Sequence, residues 1–197
     1  MQHKILIITA LLVPATNVAA GAIDFRVGKD MAELSYYGQT SSFGYGGADM
    51  GLGVLFNDDK DVIANGSILV SGSSSGDVKA LHFGVGAKVY GGDISGSKSQ
   101  SFDVQGGAVA IGGQIRYIFP SSTPFAVLGE VFYAPEVTNI ADWDRTQEYR
   151  VALELEVSPS ARAYVGYRKL EVKFDSNGSN HNYDVDDGLN IGVRFEF

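Results

Sequence analysis

The chain has 197 residues, no cysteine and a formal net charge of −8. That length suits a single domain. The missing thiols exclude a disulfide scaffold and thiolate metal sites, and the acidic balance excludes the basic surface that nucleic-acid phosphates require.

Taken from the N-terminus, His3 and Lys4 precede an apolar run from Ile5 to Val13, broken only by Thr9. Pro14 then leads into Asn17-Val18-Ala19-Ala20-Gly21-Ala22. A charged start, a short apolar core and small residues at its end make a secretory signal peptide. Cleavage fits after Ala20, with Val18 at −3, or after Ala22, with Ala20 at −3. Residues 1–22 are therefore predicted to be a leader and 23–197 the mature domain. A helix needs about 20 apolar residues to cross a bilayer; the leader's run is far shorter and nothing after it approaches that length. Membrane insertion must then be by strands.

Period-two alternation recurs along the whole mature chain, whereas helical periodicity is nearly absent. Turn signals divide it into strands near 22–28, 31–38, 46–57, 62–71, 77–90, 102–119, 124–134, 146–158, 161–174 and 184–197. The first two form one strand if Lys29-Asp30 is not a turn. In 46–57, Met50, Leu52, Val54 and Phe56 alternate with Asp49, Gly51, Gly53 and Leu55. In 77–90, Leu81, Phe83, Val85 and Val89 alternate with His82, Gly84, Gly86 and Lys88. In 146–158, Tyr149, Val151, Leu153, Leu155 and Val157 oppose Arg150, Ala152, Glu154 and Glu156. In the last strand Val185, Leu189, Ile191, Val193, Phe195 and Phe197 oppose Asp186, Gly188, Asn190, Gly192, Arg194 and Glu196.

The polar face is glycine mixed with single charges of both signs, unlike a solvated sheet surface. Polar-in, apolar-out strands of about ten residues mark a transmembrane barrel. The prediction is an all-β, antiparallel, up-and-down barrel of 8–10 strands, with ten favoured because single-chain barrels have even numbers. Its connections at 158–160 and 120–124 are short, while 91–101, 135–145 and 175–183 are longer and polar. Tyr117, Phe119, Phe125, Phe195 and Phe197 are predicted for one interfacial girdle, and Tyr90, Tyr133 and Tyr149 for the other. The ending Val193-Arg194-Phe195-Glu196-Phe197 resembles the C-terminal signal of outer-membrane proteins. Phe195 and Phe197 would offer an apolar edge strand to the barrel-assembly machinery by β-augmentation.

The segments Gly129-Glu130-Val131-Phe132-Tyr133-Ala134-Pro135-Glu136 and Val165-Gly166-Tyr167-Arg168, the glycine-rich strand ending in Asn57-Asp58-Asp59, and the C-terminal strand resemble the YfaZ family of small proteobacterial outer-membrane proteins. The resemblance spans most of the mature chain. It implies a signal peptide, a barrel in the Gram-negative outer membrane and a porin-like role, and carries over no catalytic or ligand residue.

Candidate chemistry is thin. Gly72-Ser73-Ser74-Ser75-Gly76 fits the nucleophile-elbow pattern but lacks the following helix and the triad partners, so a flexible turn is expected. His82 and His181 are isolated, poor material for acid–base or zinc chemistry. Asp175-Ser176-Asn177-Gly178-Ser179-Asn180 shares part of a calcium-loop pattern but has Asp186 where the motif needs Glu. No enzyme activity and no cofactor are expected. The inward charges are the candidate site: Asp49, His82, Lys88, Arg116, Glu130, Arg150, Glu154, Arg168 and Arg194 are predicted to line the lumen, with Glu156 and Glu196. They make either a narrow passage for ions or small solutes, or an ion-pair plug in a non-conducting structural or surface-interaction barrel. Leu170, Val172 and Phe174 fall on the inward phase, which suggests a register slip or a position above the bilayer. Expected partners are outer-membrane lipid and lipopolysaccharide, with periplasmic chaperones and the assembly machinery during biogenesis; the barrel is expected to be a monomer.

Overall fold

The computed structural model describes residues 20–40, 47–73, 80–95, 104–120, 124–176 and 179–197. Residues 1–19 of the predicted leader, 74–76 of the Gly72–Gly76 motif and 177–178 of the Asp175–Asn180 motif lie outside what can be described. The strands are β1 (Ala20–Gly28), β2 (Met31–Thr40), β3 (Ala48–Asn57), β4 (Val62–Ser73), β5 (Leu81–Ile94), β6 (Val104–Ile118), β7 (Phe125–Ala134), β8 (Asn139–Ala141), β9 (Trp143–Ser158), β10 (Ala161–Ser176) and β11 (Ser179–Glu196), with a 3₁₀ turn at Glu136–Thr138.

All pairings are antiparallel. Each long strand pairs with the next, β7 pairs with β9, and β1 closes the cylinder against β11. Ten strands thus form a closed up-and-down barrel. The small β8 lies beside β6 where β7 has ended. Closure gives each of the ten long strands a neighbour on both sides, which a lipid environment demands because it offers unpaired backbone groups no partner. The seam reaches the last residue: Phe197 N–H donates to the Gly21 carbonyl at 2.8 Å and Gly21 N–H to the Phe197 carbonyl at 2.9 Å. Both described chain ends lie at one end of the barrel, the end predicted to face the periplasm.

The outer surface is apolar. Ile111 is 70 % exposed and Leu189 72 % exposed, with Phe25, Leu34, Val85, Val151, Leu153, Ile191 and Phe195 on the same face. Such a surface needs lipid around it. Tyr117, Phe119 and Phe125 cluster at the periplasmic rim, Phe119 stacking on Phe125 at 4.5 Å between ring centroids. Tyr133, Tyr149 and Tyr167 are exposed towards the other end. Tyr90 does not join them. The parity that turns Lys88 inward turns Tyr90 inward too, and it is buried.

Three further expectations change. The polar stretch 175–183 is mostly strand, because β10 and β11 continue past the membrane as one long hairpin. Val185 faces inward rather than outward: pairing jumps from Leu170–Asp186 to Glu171–Asp184, and this bulge reverses its side. Leu170, Val172 and Phe174 keep the inward phase of β10 without a slip, and all three are buried inside the barrel.

Candidate functional site

The interior has two storeys. In the outer half, apolar side chains from nearly every strand meet across the lumen: Met31, Leu55, Ile63, Ile94, Val104, Phe132, Trp143, Leu170, Val172 and Phe174 are all buried in one cluster. Trp143 reaches it through a second bulge, since Lys173 pairs with Arg145 but Phe174 with Trp143. Its ring fills the place where a side chain at Gly106 would project.

Beneath it lies a charged layer centred on Arg168, which is 0 % exposed. Its Nε donates to Glu148 at 2.6 Å and its Nη1 to Glu33 at 2.8 Å, while Asp186 approaches to 3.6 Å. Lys88 and the Tyr90 hydroxyl donate to Glu148 at 2.6 and 2.5 Å. Arg26 donates to Glu33. Three cations face three carboxylates drawn from six strands, so the layer ties the barrel across its diameter. A charge removed from water persists only when paired and hydrogen-bonded in this way.

The periplasmic half holds a cavity of about 690 Å³ that reaches the rim at Gly21, Gln39, Ser73, His82 and Glu196. One wall, on β2–β5, carries small or neutral polar residues such as Gly38, Ser67, Ser71 and Asn65; the other carries Arg116, Arg150, Arg162 and Arg194. Each arginine is already engaged. Arg116 donates to Glu154 at 2.6 Å, Arg150 to Glu130 at 2.8 Å, and Arg194 to Asp24 at 2.9 Å; Arg162 pairs with Glu196. Tyr164 also donates to Asp24, at 2.6 Å, and lies where a side chain at Gly192 would project, so only glycine fits there.

Of the residues singled out from sequence, Asp49, His82, Arg116, Glu130, Arg150, Glu154 and Arg194 border the cavity, as does Lys88 at its inner end. Asp49 accepts from Ser71, and Arg168 lies above, out of reach of the cavity. Glu156 is exposed at the rim. Phe195 and Phe197 point outward. The sequence reading missed Asp24, Arg26, Glu33, Glu148, Tyr90 and Asp186, which carry half of the network. Their signal was present: Ile23-Asp24-Phe25-Arg26-Val27 alternates as cleanly as any strand, and Glu148 shares the parity of Arg150.

No curated protein matches the chain. Among solved structures it is similar to the NanC porin, at 16% identity over 89% of this chain and 98% of that one with a TM-score of 0.46. It is also similar to the KdgM porin, at 10% identity over 90% and 99% with a TM-score of 0.42. A third similarity is to the outer membrane protein Omp33 of Acinetobacter baumannii, at 12% identity over 90% and 95% with a TM-score of 0.31. The profile described as YfaZ precursor matches residues 2–197. The closed barrel with its apolar exterior is of the outer-membrane type, and the chain belongs to the YfaZ family.

Proposed function

We propose that this barrel is a non-enzymatic outer-membrane protein whose resting lumen is shut, with a polar cup open to the periplasm beneath a two-layer plug. The observation that carries the reading is Arg168, wholly buried and held between Glu148 on β9 and Glu33 on the far wall. An ion cannot pass without separating that arrangement and the apolar cluster above it. A gated passage for ions or small solutes is the second reading, favoured by the cup, which already opens half the depth of the barrel. The leader is removed after Ala20 or Ala22; cutting after Ala20 keeps both Gly21–Phe197 bonds. In the membrane the barrel is a monomer in contact with lipid and lipopolysaccharide, delivered by chaperones and the assembly machinery.

Single-channel recording of the refolded protein in a planar bilayer tests this. The wild-type barrel is expected to insert without discrete steps. Stable steps that shift when Arg150 or Glu154 is neutralised would overturn the closed state and place a conducting path through the cup.

A further inference from the structure

The tip of the β3–β4 hairpin is unlike the rest of the outer end. Asp61 is 0 % exposed, yet no cation pairs with it among the described residues. It is held by neutral donors from three places. Asn57 Nδ2 donates to it at 2.7 Å from its own turn, the Ser95 amide at 2.7 Å from the end of β5, and the Tyr183 hydroxyl at 2.8 Å from β11. The Asn57 amide donates as well to the Val185 carbonyl, at 3.2 Å. Directly below, Leu55 and Ile63 are register partners on β3 and β4, both buried in the apolar plug. The turn between them strains its backbone: Lys60 has φ 71°, a left-handed conformation that a residue other than glycine rarely adopts.

We propose that Asp61 is the latch of a gate, and that the β3–β4 hairpin tip is its moving part. A carboxylate joined to β5 and β11 only by neutral hydrogen bonds can be released without leaving a partner charge buried. Release frees the turn's strain and withdraws Leu55 and Ile63 from the plug. The charged layer around Arg168, by contrast, is tied by six mutually paired ions and stays in place until the apolar layer above it loosens. The proposal rests on the closed resting state.

The test uses the full-length mature barrel refolded in liposomes, with folding confirmed by heat-modifiable gel migration. Trp143 is the sole tryptophan and sits in the plug, so iodide quenching of its emission reports water entry. Wild-type protein is expected to be protected and electrically silent. Asp61→Ala is expected to lose that protection and to show brief conductance openings. If the variant folds and remains as protected and silent as the wild type, the latch is wrong. If the wild type is itself quenched or conducting, the closed resting state is wrong instead. Should Asp61→Ala fail to fold, Tyr183→Phe decides, because it removes only the hydroxyl that reaches Asp61 and Asp59: partial loss of protection supports the latch, and unchanged protection overturns it.

Discussion

At the scale of the residue, Arg168 has the most demanding position in the molecule. It replaces its hydration with Glu33, Glu148 and Asp186, sharing Glu33 with Arg26 and Glu148 with Lys88. Removing one partner of a buried ion cluster leaves the others uncompensated, which typically costs about 3–5 kcal/mol. Arg168→Met is therefore expected to destabilise the barrel by about that much, read as a lower urea midpoint of the refolded protein. Arg168→Lys keeps the charge but loses the two-armed geometry, and should fall between. The sequence placed Arg168 in the lumen, but its depth could not be read there. The sealing residues Leu170, Val172 and Phe174 follow at every second position; the sequence put them on the inward phase but left open a register slip or a place above the bilayer, and they are buried inside the barrel.

At the scale of the element, alternation made the strands legible and bulges hid some of their facings. Parity assigns Val185 and Trp143 to the lipid side; one extra residue in β11 and another in β9 bring both inside. A bulge leaves no mark in hydrophobic periodicity, so the inward turn of Val185 and Trp143 was invisible while the girdles of Tyr117, Phe119 and Tyr133 were not. Cross-strand packing was equally hidden. The glycines mark the polar face in the sequence, but their partners follow only from register, which sets Tyr164 beside Gly192 on β11. Gly192→Val is expected to push that ring aside, break its bond to Asp24 and cost about 1–3 kcal/mol as overpacking does. Combining it with Tyr164→Ala should restore part of the loss, a non-additivity that thermal melts of the two single variants and the double variant would reveal.

At the scale of the whole molecule, the interior is divided along the membrane normal rather than uniform. The periplasmic half resembles a water-accessible vestibule, and the outer half resembles the core of a soluble domain enclosed in a membrane wall. Composition and parity foretold the wall and its strand number. They could not foretell the division, because it depends on which strands face one another across the lumen. Glu33 and Arg168 are 135 positions apart in the chain yet share a hydrogen bond.

The seam between β1 and β11 has a topological consequence. Because Gly21 and Phe197 are already hydrogen-bonded neighbours, the polypeptide is nearly circular, and its ends could be placed elsewhere. A circular permutant opened in the 120–124 connection, with Phe197 joined to Gly21 by a short linker, would end in Ile115-Arg116-Tyr117-Ile118-Phe119. That ending also has a terminal phenylalanine with apolar residues at alternate positions. Behind the same leader it should be inserted in cells, and Phe119→Ser within it should abolish insertion while leaving refolding in detergent intact. Heat-modifiable migration of outer-membrane fractions would tell the two apart. The barrel's shape would then prove indifferent to where the chain ends, and its delivery dependent on how it ends.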